Sequence, residues 1–160
     1  MKVHAKQFLI AFLVIAAMAL AAVLGFRWLD RPREFSSLLP FSLPEVTSCY
    51  AYLDDEAMES NSTQLSQEQT QTLLGMLSQP TYHWVGSASS ISVEEAPLIR
   101  IYLHTSNSDY SELMLNGEYM LVNPCTYKGD STLYRMEEDS RAQHVALASF
   151  LEDCLTQNEA

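Results

Sequence analysis

The chain has 160 residues, nine of them basic and twenty acidic, for a net charge of −11. The charge is split along the chain: residues 1–33 carry five basic and one acidic side chain, whereas residues 34–160 carry four basic and nineteen acidic, a net of −15. A segment that acidic cannot neutralise phosphates, which excludes nucleic acid as a partner, and anionic lipid headgroups repel it, leaving the arginine cluster before it as the only lipid-facing charge.

Residues 1–7 form a short tail containing Lys2 and Lys6. Phe8–Phe26 follows as an uncharged apolar run of nineteen residues. At a rise of ~1.5 Å per residue, a helix over this run is about 28 Å long, close to the ~30 Å hydrocarbon core of a bilayer. Three readings compete: a transmembrane signal-anchor over residues 8–26, a signal peptide cleaved near Ala19-Leu20-Ala21, and a buried core helix. The core helix is the weakest, because no face of the run is polar. The anchor is preferred to the signal peptide, because the run continues to Phe26, past the ~7–15 residues of an h-region. Trp28 also falls at interfacial depth beside Arg27, Arg31 and Arg33. Membrane lipid is thus the partner expected for residues 8–26. The flanking positive charges nearly tie, so sidedness rests on the export-signal shape of the N-terminus. The C-terminal domain is expected outside the cytoplasm, with the opposite topology left open.

Residues 27–44 read as an arginine-flanked linker whose Pro40 and Pro44 impose extended or turn geometry. Its Phe and Leu content is too high for a free tether, so part of it is expected to pack on the domain or the membrane surface. Residues 45–157 are about the size of one domain. Val46–Leu53 reads as a strand with Ser48, Tyr50 and Tyr52 on one face and Cys49, Ala51 and Leu53 on the other. Asp54–Thr63 reads as a polar loop. Ser66 and Gln69 have capping-box spacing and open a helix that buries Leu73, Leu74 and Leu77 and stops before Pro80. A short strand, Thr81–Val85, and a small-residue loop, Gly86–Ser92, come next. Leu98–Thr105 is the clearest strand, with Ile99, Ile101 and Leu103 opposite Arg100, Tyr102 and His104.

Asn116-Gly117 predicts a hairpin that pairs Leu115 with Glu118, Leu113 with Met120 and Glu112 with Leu121. Leu113, Leu115, Met120 and Val122 are assigned to the core, and Met114, Tyr119 and Leu121 to the other face. After a Lys128-Gly129-Asp130 turn, Thr132–Met136 is the last strand. Ser140 caps a final helix whose apolar stripe is Val145, Ala148, Leu151 and Leu155, widened by Leu147, Phe150 and Cys154. The sum is an α+β chain: an N-terminal transmembrane helix, then a two-layer domain with a mainly antiparallel sheet of about five strands and two helices.

Catalytic motifs are missing. The five glycines lie at 25, 75, 86, 117 and 129, too far apart for a dinucleotide fingerprint or a P-loop. There is no GxSxG, HExxH or SxxK. Cys49, Cys125 and Cys154 match no zinc or CxxC spacing; one disulfide with a free thiol, or three buried thiols, both remain open. His83, His104 and His144 have no ligand spacing, and the clusters Asp54-Asp55-Glu56 and Glu137-Glu138-Asp139 lack the alternating oxygens of a calcium loop. No metal and no cofactor is expected. Only a fold-assembled pair, Cys49 or Cys125 with His83 or His104, would supply a nucleophile and its base.

The aromatic residues carry a sharper expectation. No phenylalanine lies between Phe41 and Phe150, yet all eight tyrosines and Trp84 do. Tyr50 with Tyr52, Tyr82 with Trp84, and Tyr102 with His104 each share a strand face. If those faces coincide, one side of the sheet carries Tyr50, Tyr52, Tyr82, Trp84, Arg100, Tyr102 and His104, beside Met114. Aromatic residues, Met and Arg together are the composition of a protein interface. The competing reading is a solvent-facing sheet, or tyrosines packed beneath a helix.

Between Val46 and Met136, the stretches Gln71-Thr72-Leu73-Leu74-Gly75-Met76-Leu77, Leu98-Ile99-Arg100-Ile101-Tyr102-Leu103 and Gly117-Glu118-Tyr119-Met120-Leu121-Val122-Asn123-Pro124 resemble small membrane-anchored domains of unknown function common in Gram-positive bacteria. The resemblance implies an anchored α+β domain and carries over no catalytic residue. The expected function is an accessory, sensory or protein-binding module whose partner is a protein or an envelope component. A cryptic envelope hydrolase with a Cys/His or carboxylate site, and a purely structural envelope domain, are the alternatives.

Overall fold

The computed structural model describes residues 2–54, 63–91, 97–125, 129–137 and 140–158. The chain divides into two compact units, Met1–Arg31 and Pro32–Ala160. The first is one helix, α1 (Lys2–Leu29). Its Ala11–Leu29 window has a mean hydropathy of 2.2, which makes it long and apolar enough to cross a membrane, and none of its residues is buried.

The second unit is built from β1 (Val46–Asp54), β2 (Thr63–Gln64), α2 (Gln67–Leu77), β3 (Tyr82–Ser87), β4 (Leu98–Thr105), β5 (Tyr110–Asn116), β6 (Tyr119–Asn123), β7 (Thr132–Met136) and α3 (Ser140–Asn158). The strands form one sheet in the order β2-β1-β4-β5-β6-β7-β3, with every neighbouring pair antiparallel. The fold is α+β, with seven strands in place of about five. One addition, β2, is two residues long and too short to carry an alternating pattern.

Alternation along the strands separates the two faces of the sheet. Cys49, Ala51, Ile99, Ile101, Leu103, Leu113, Leu115, Met120, Val122, Tyr134 and Met136 are all buried in one cluster with Leu73, Leu77, Leu147, Leu151 and Cys154. Both helices therefore cover the same face of the sheet. α2 and α3 pack against β1 and against each other, and α3 also reaches β2. Ser66 caps α2 as expected: Ser66 Oγ accepts from Gln69 N at 3.2 Å, and Gln69 Oε1 accepts from Ser66 N at 2.8 Å.

Residues 32–41 complete this core. Phe35, Leu38, Leu39 and Phe41 are buried in it. Arg33 and Tyr82 exchange two backbone hydrogen bonds, 2.9 and 3.0 Å, at the outer edge of β3.

Two expectations are corrected in register. In the β5–β6 hairpin, Asn116 pairs with Tyr119, Leu115 with Met120, Leu113 with Val122 and Glu112 with Asn123. The two-residue loop is therefore Gly117-Glu118, one residue later than the Asn116-Gly117 turn. Gly117 takes φ 55° while Glu118 stays at negative φ, which suits a II′ turn, the type that needs glycine at its first central position. The core assignment of Leu113, Leu115, Met120 and Val122 stands.

On α3, the buried stripe is His144, Leu147, Ala148, Leu151 and Cys154, and Val145 is 62% exposed. Position 145 lies about 100° around the helix from 144, outside the face that meets the sheet and α2. Residues 55–62 of the expected Asp54–Thr63 loop, Lys128 of the turn, and Glu138 and Asp139 before α3 lie outside the described residues.

Candidate functional site

The sheet face opposite the helices is set by the same alternation. On β1, Ser48, Tyr50 and Tyr52 point to it, opposite His104, Tyr102 and Arg100 of β4. On β5, Tyr110, Glu112 and Met114 sit beside His104, Tyr102 and Arg100 in turn. Cross-strand neighbours on one face of an antiparallel pair are ~5 Å apart, within reach of aromatic rings.

The rings form a continuous set of contacts. Tyr50 meets His104 edge-on at 5.4 Å between centroids, and His104 stacks on Tyr110 at 5.2 Å with planes 16° apart. Tyr52 meets Tyr102 edge-on at 5.4 Å, and Tyr102 reaches Tyr110 at 6.5 Å. Edge-to-face and offset contacts at these distances suit the ring quadrupole and hold each ring in place.

Glu112 lies among these rings and is only 8% exposed. Tyr102 Oη donates to its Oε1 at 2.8 Å, and Asn123 Nδ2 donates to its Oε2 at 3.2 Å. With both oxygens accepting, the carboxylate is fixed in place and meets the requirement that a buried charge be hydrogen-bonded. Burial, the bond to Glu112 and the nearby carboxylate charge push the Tyr102 phenol up to about 12, against a smaller downward pull from Arg100. Tyr102 is therefore a neutral donor at physiological pH. Tyr110 is also raised, first by its hydrogen bond with the Cys125 thiol, and that thiol donates to Asn123 O at 3.5 Å. Alongside this aromatic area, Met114, Leu121 and Leu133 are aligned in register across β5, β6 and β7.

Five of the seven residues assigned to the aromatic face come together on it: Tyr50, Tyr52, Arg100, Tyr102 and His104. Tyr82 and Trp84 do not. β3 lies at the far edge of the sheet, and its parity turns these two side chains to the core, opposite Met136 and Tyr134. Tyr82 is fully buried, packs on Phe35 at 6.2 Å and donates its hydroxyl to Leu77 O at 2.6 Å. Trp84 packs against the core cluster. Tyr110, Glu112 and Asn123 belong to the face but are not evident from single-strand patterns. Glu112 and Asn123 become neighbours only through the corrected hairpin register.

Chemically, this face offers π surfaces, phenol hydroxyls and one fixed carboxylate. Cys49 is buried behind it on the core side, where loss of solvation pushes its thiol up to about 12 and leaves it a poor nucleophile. His83 is at the other edge of the sheet, 3.2 Å from Glu137, whose carboxyl is held below its ordinary range by the Thr81 hydroxyl and by His83. Among the described residues no group of three or more His, Cys, Asp and Glu side chains is placed to hold a metal ion. Compared with protein-family models, with curated proteins and with solved structures, the chain matches none.

Proposed function

We propose that the protein is a single-pass membrane protein whose acidic domain, held outside the cytoplasm, binds a protein or envelope component through the aromatic face of its sheet. The observation that carries this reading is the set of five touching rings, Tyr50, Tyr52, Tyr102, His104 and Tyr110, around the fixed Glu112. Helices α2 and α3 pack on the opposite face, so the rings hold neither of them in place. Rigid amphipathic rings lose little side-chain entropy on docking, and tyrosine and arginine recur among binding hot spots. The apolar helix α1 supports the anchor; a signal sequence near the N-terminus passes the same test of length and hydropathy, but the uncharged run of nineteen residues is longer than the ~7–15 residues of an h-region, which favours a retained span.

The hydrolase alternative rests on Cys125 and His104, which both touch Tyr110, one at its hydroxyl and the other at its ring. Among the described residues the thiol's hydrogen-bonding neighbours are Asn123 O and Tyr110, whereas a nucleophile needs a base there.

The test is a photo-crosslinking residue in place of Tyr52 in the full chain, expressed in cells. The expected result is a discrete adduct that disappears when Tyr102→Ser is added, with the far-ultraviolet circular dichroism unchanged. No adduct, or one indifferent to Tyr102→Ser, would remove the aromatic face from consideration as the binding site.

A further inference from the structure

A second site lies away from the aromatic face, in an open cleft of about 1000 Å³ between the start of β1 and α2. One wall is formed by Leu43, Val46 and Thr47, the other by Gln67, Thr70, Gln71 and Leu74, with Leu65 on the floor. The α2 residues follow i, i+3, i+4, i+7 spacing, so the helix presents this stripe to the cleft while Leu73 and Leu77 are buried in the core. Among the described residues no charged side chain lines the cleft, although the sequence from residue 34 onward carries nineteen acidic groups.

We propose that this cleft binds an extended, uncharged peptide segment of a partner protein. Two observations point to that occupant. The first is the chemistry of the walls: primary amides and hydroxyls both donate and accept, matching the alternating N–H and C=O groups of a peptide. A charged ligand entering here would lose hydration with no countercharge to meet it, and the acidic domain would repel an anion at longer range. The second is the edge of β1. The short β2 pairs only with Tyr50 and Ala51, and Leu65 N donates to Cys49 O at 2.9 Å. Beyond that, among the described residues, no strand pairs with Val46–Ser48 on the side away from β4. The exposed Thr47, where the pairing with β4 shifts register and its hydroxyl donates to His104 O at 3.3 Å, lies on this strand edge and lines the cleft. An unpaired edge beside a half-apolar cleft is the setting for strand addition, where backbone bonds hold the peptide and side-chain pockets select it. Among the described residues no aromatic ring lines the cleft to serve as a stacking platform on which a sugar ring would pack.

This inference does not depend on the aromatic face. It is tested by panning a displayed library of random dodecapeptides against the full chain in lipid nanodiscs. The expected outcome is enrichment of peptides poor in charged residues. The enriched peptides bind Gln71→Arg at least about tenfold more weakly, because that change puts an unpaired charge on the cleft wall. They bind Tyr52→Ser, on the other face, unchanged. N-methylation at alternate backbone positions of an enriched peptide abolishes binding, as strand pairing requires. No enrichment, equal binding to Gln71→Arg, or tolerance of N-methylation would overturn the proposal. So would binding of cellotetraose that Gln71→Arg removes, which would assign the cleft to a glycan instead.

Discussion

Ser111 sits on the core side of β5 opposite Leu103, fully buried, and its hydroxyl has no hydrogen-bond partner among the described residues. A buried orphan hydroxyl costs about 1–3 kcal/mol, so Ser111→Ala should raise stability by about 1 kcal/mol in urea denaturation, with the slope of the transition unchanged. Tyr102 is the complementary case, a phenol fully used by Glu112. Its value of about 12 lies above the 10.0 of an unperturbed tyrosine. The folded chain therefore keeps a proton that the unfolded chain releases, so this group's stabilisation is intact below about pH 10 and is lost as pH rises toward 12. Among the described phenols, absorbance of ionised tyrosine should show three titrating late, Tyr102, Tyr110 and the buried Tyr82, and Glu112→Gln should bring Tyr102 to lower pH. Single residues were only partly legible in the sequence. Strand parity correctly grouped Tyr50 with Tyr52 and Tyr102 with His104, because alternation is a local property of the backbone. It could not show that Tyr82 and Trp84 face the core, since that depends on the register of β3 against β7, which sets them opposite Met136 and Tyr134.

At the scale of elements, β4, β7 and the cap of α2 were read correctly, because each is dictated by contiguous residues. Ser66→Ala removes the hydroxyl that accepts from Gln69 N and should cost about 1 kcal/mol, measured by thermal or urea unfolding. The hairpin shows the limit of local reading. Asn-Gly is a strong turn signal, but glycine is also needed first in a II′ turn, and Gly117 with Glu118 is the loop that lets Leu113 pair with Val122 and Leu115 with Met120. The core pairing of those side chains decided the register. For α3, the apolar positions spread over more than one face, and only the contacts with the sheet and α2 select the stripe through His144, Leu147 and Leu151. The short β2 carries no pattern at all, yet where it ends determines how much of the β1 edge is open to the cleft.

For the molecule as a whole, the proposed sidedness can be measured directly. Cys49 and Cys154 are buried, so in a Cys125→Ser background an exposed Ser89→Cys is the reporter. An impermeant maleimide should label it in intact cells. Labelling only after lysis would place the domain inside. The aromatic composition of the middle of the chain and its uncharged N-terminal run were both visible in the sequence, because composition survives without knowledge of contacts. The cleft was not visible, since its walls come from residues 43–47 and 64–74, which only the fold brings together.

The backbone exchange between Arg33 and Tyr82 has a mechanical meaning. The helix that carries the apolar run ends at Leu29, and four residues later, at Arg33, the chain is clipped to the outer edge of β3. If the helix is held in a membrane as proposed, tension between it and a bound partner would enter the domain at that clip. Its two hydrogen bonds and the buried Phe35 next to it bear the load before any strand of the sheet does. The β3 edge is then where the domain would begin to peel under force, while the tyrosine face, at the opposite end of the strand order, keeps its shape.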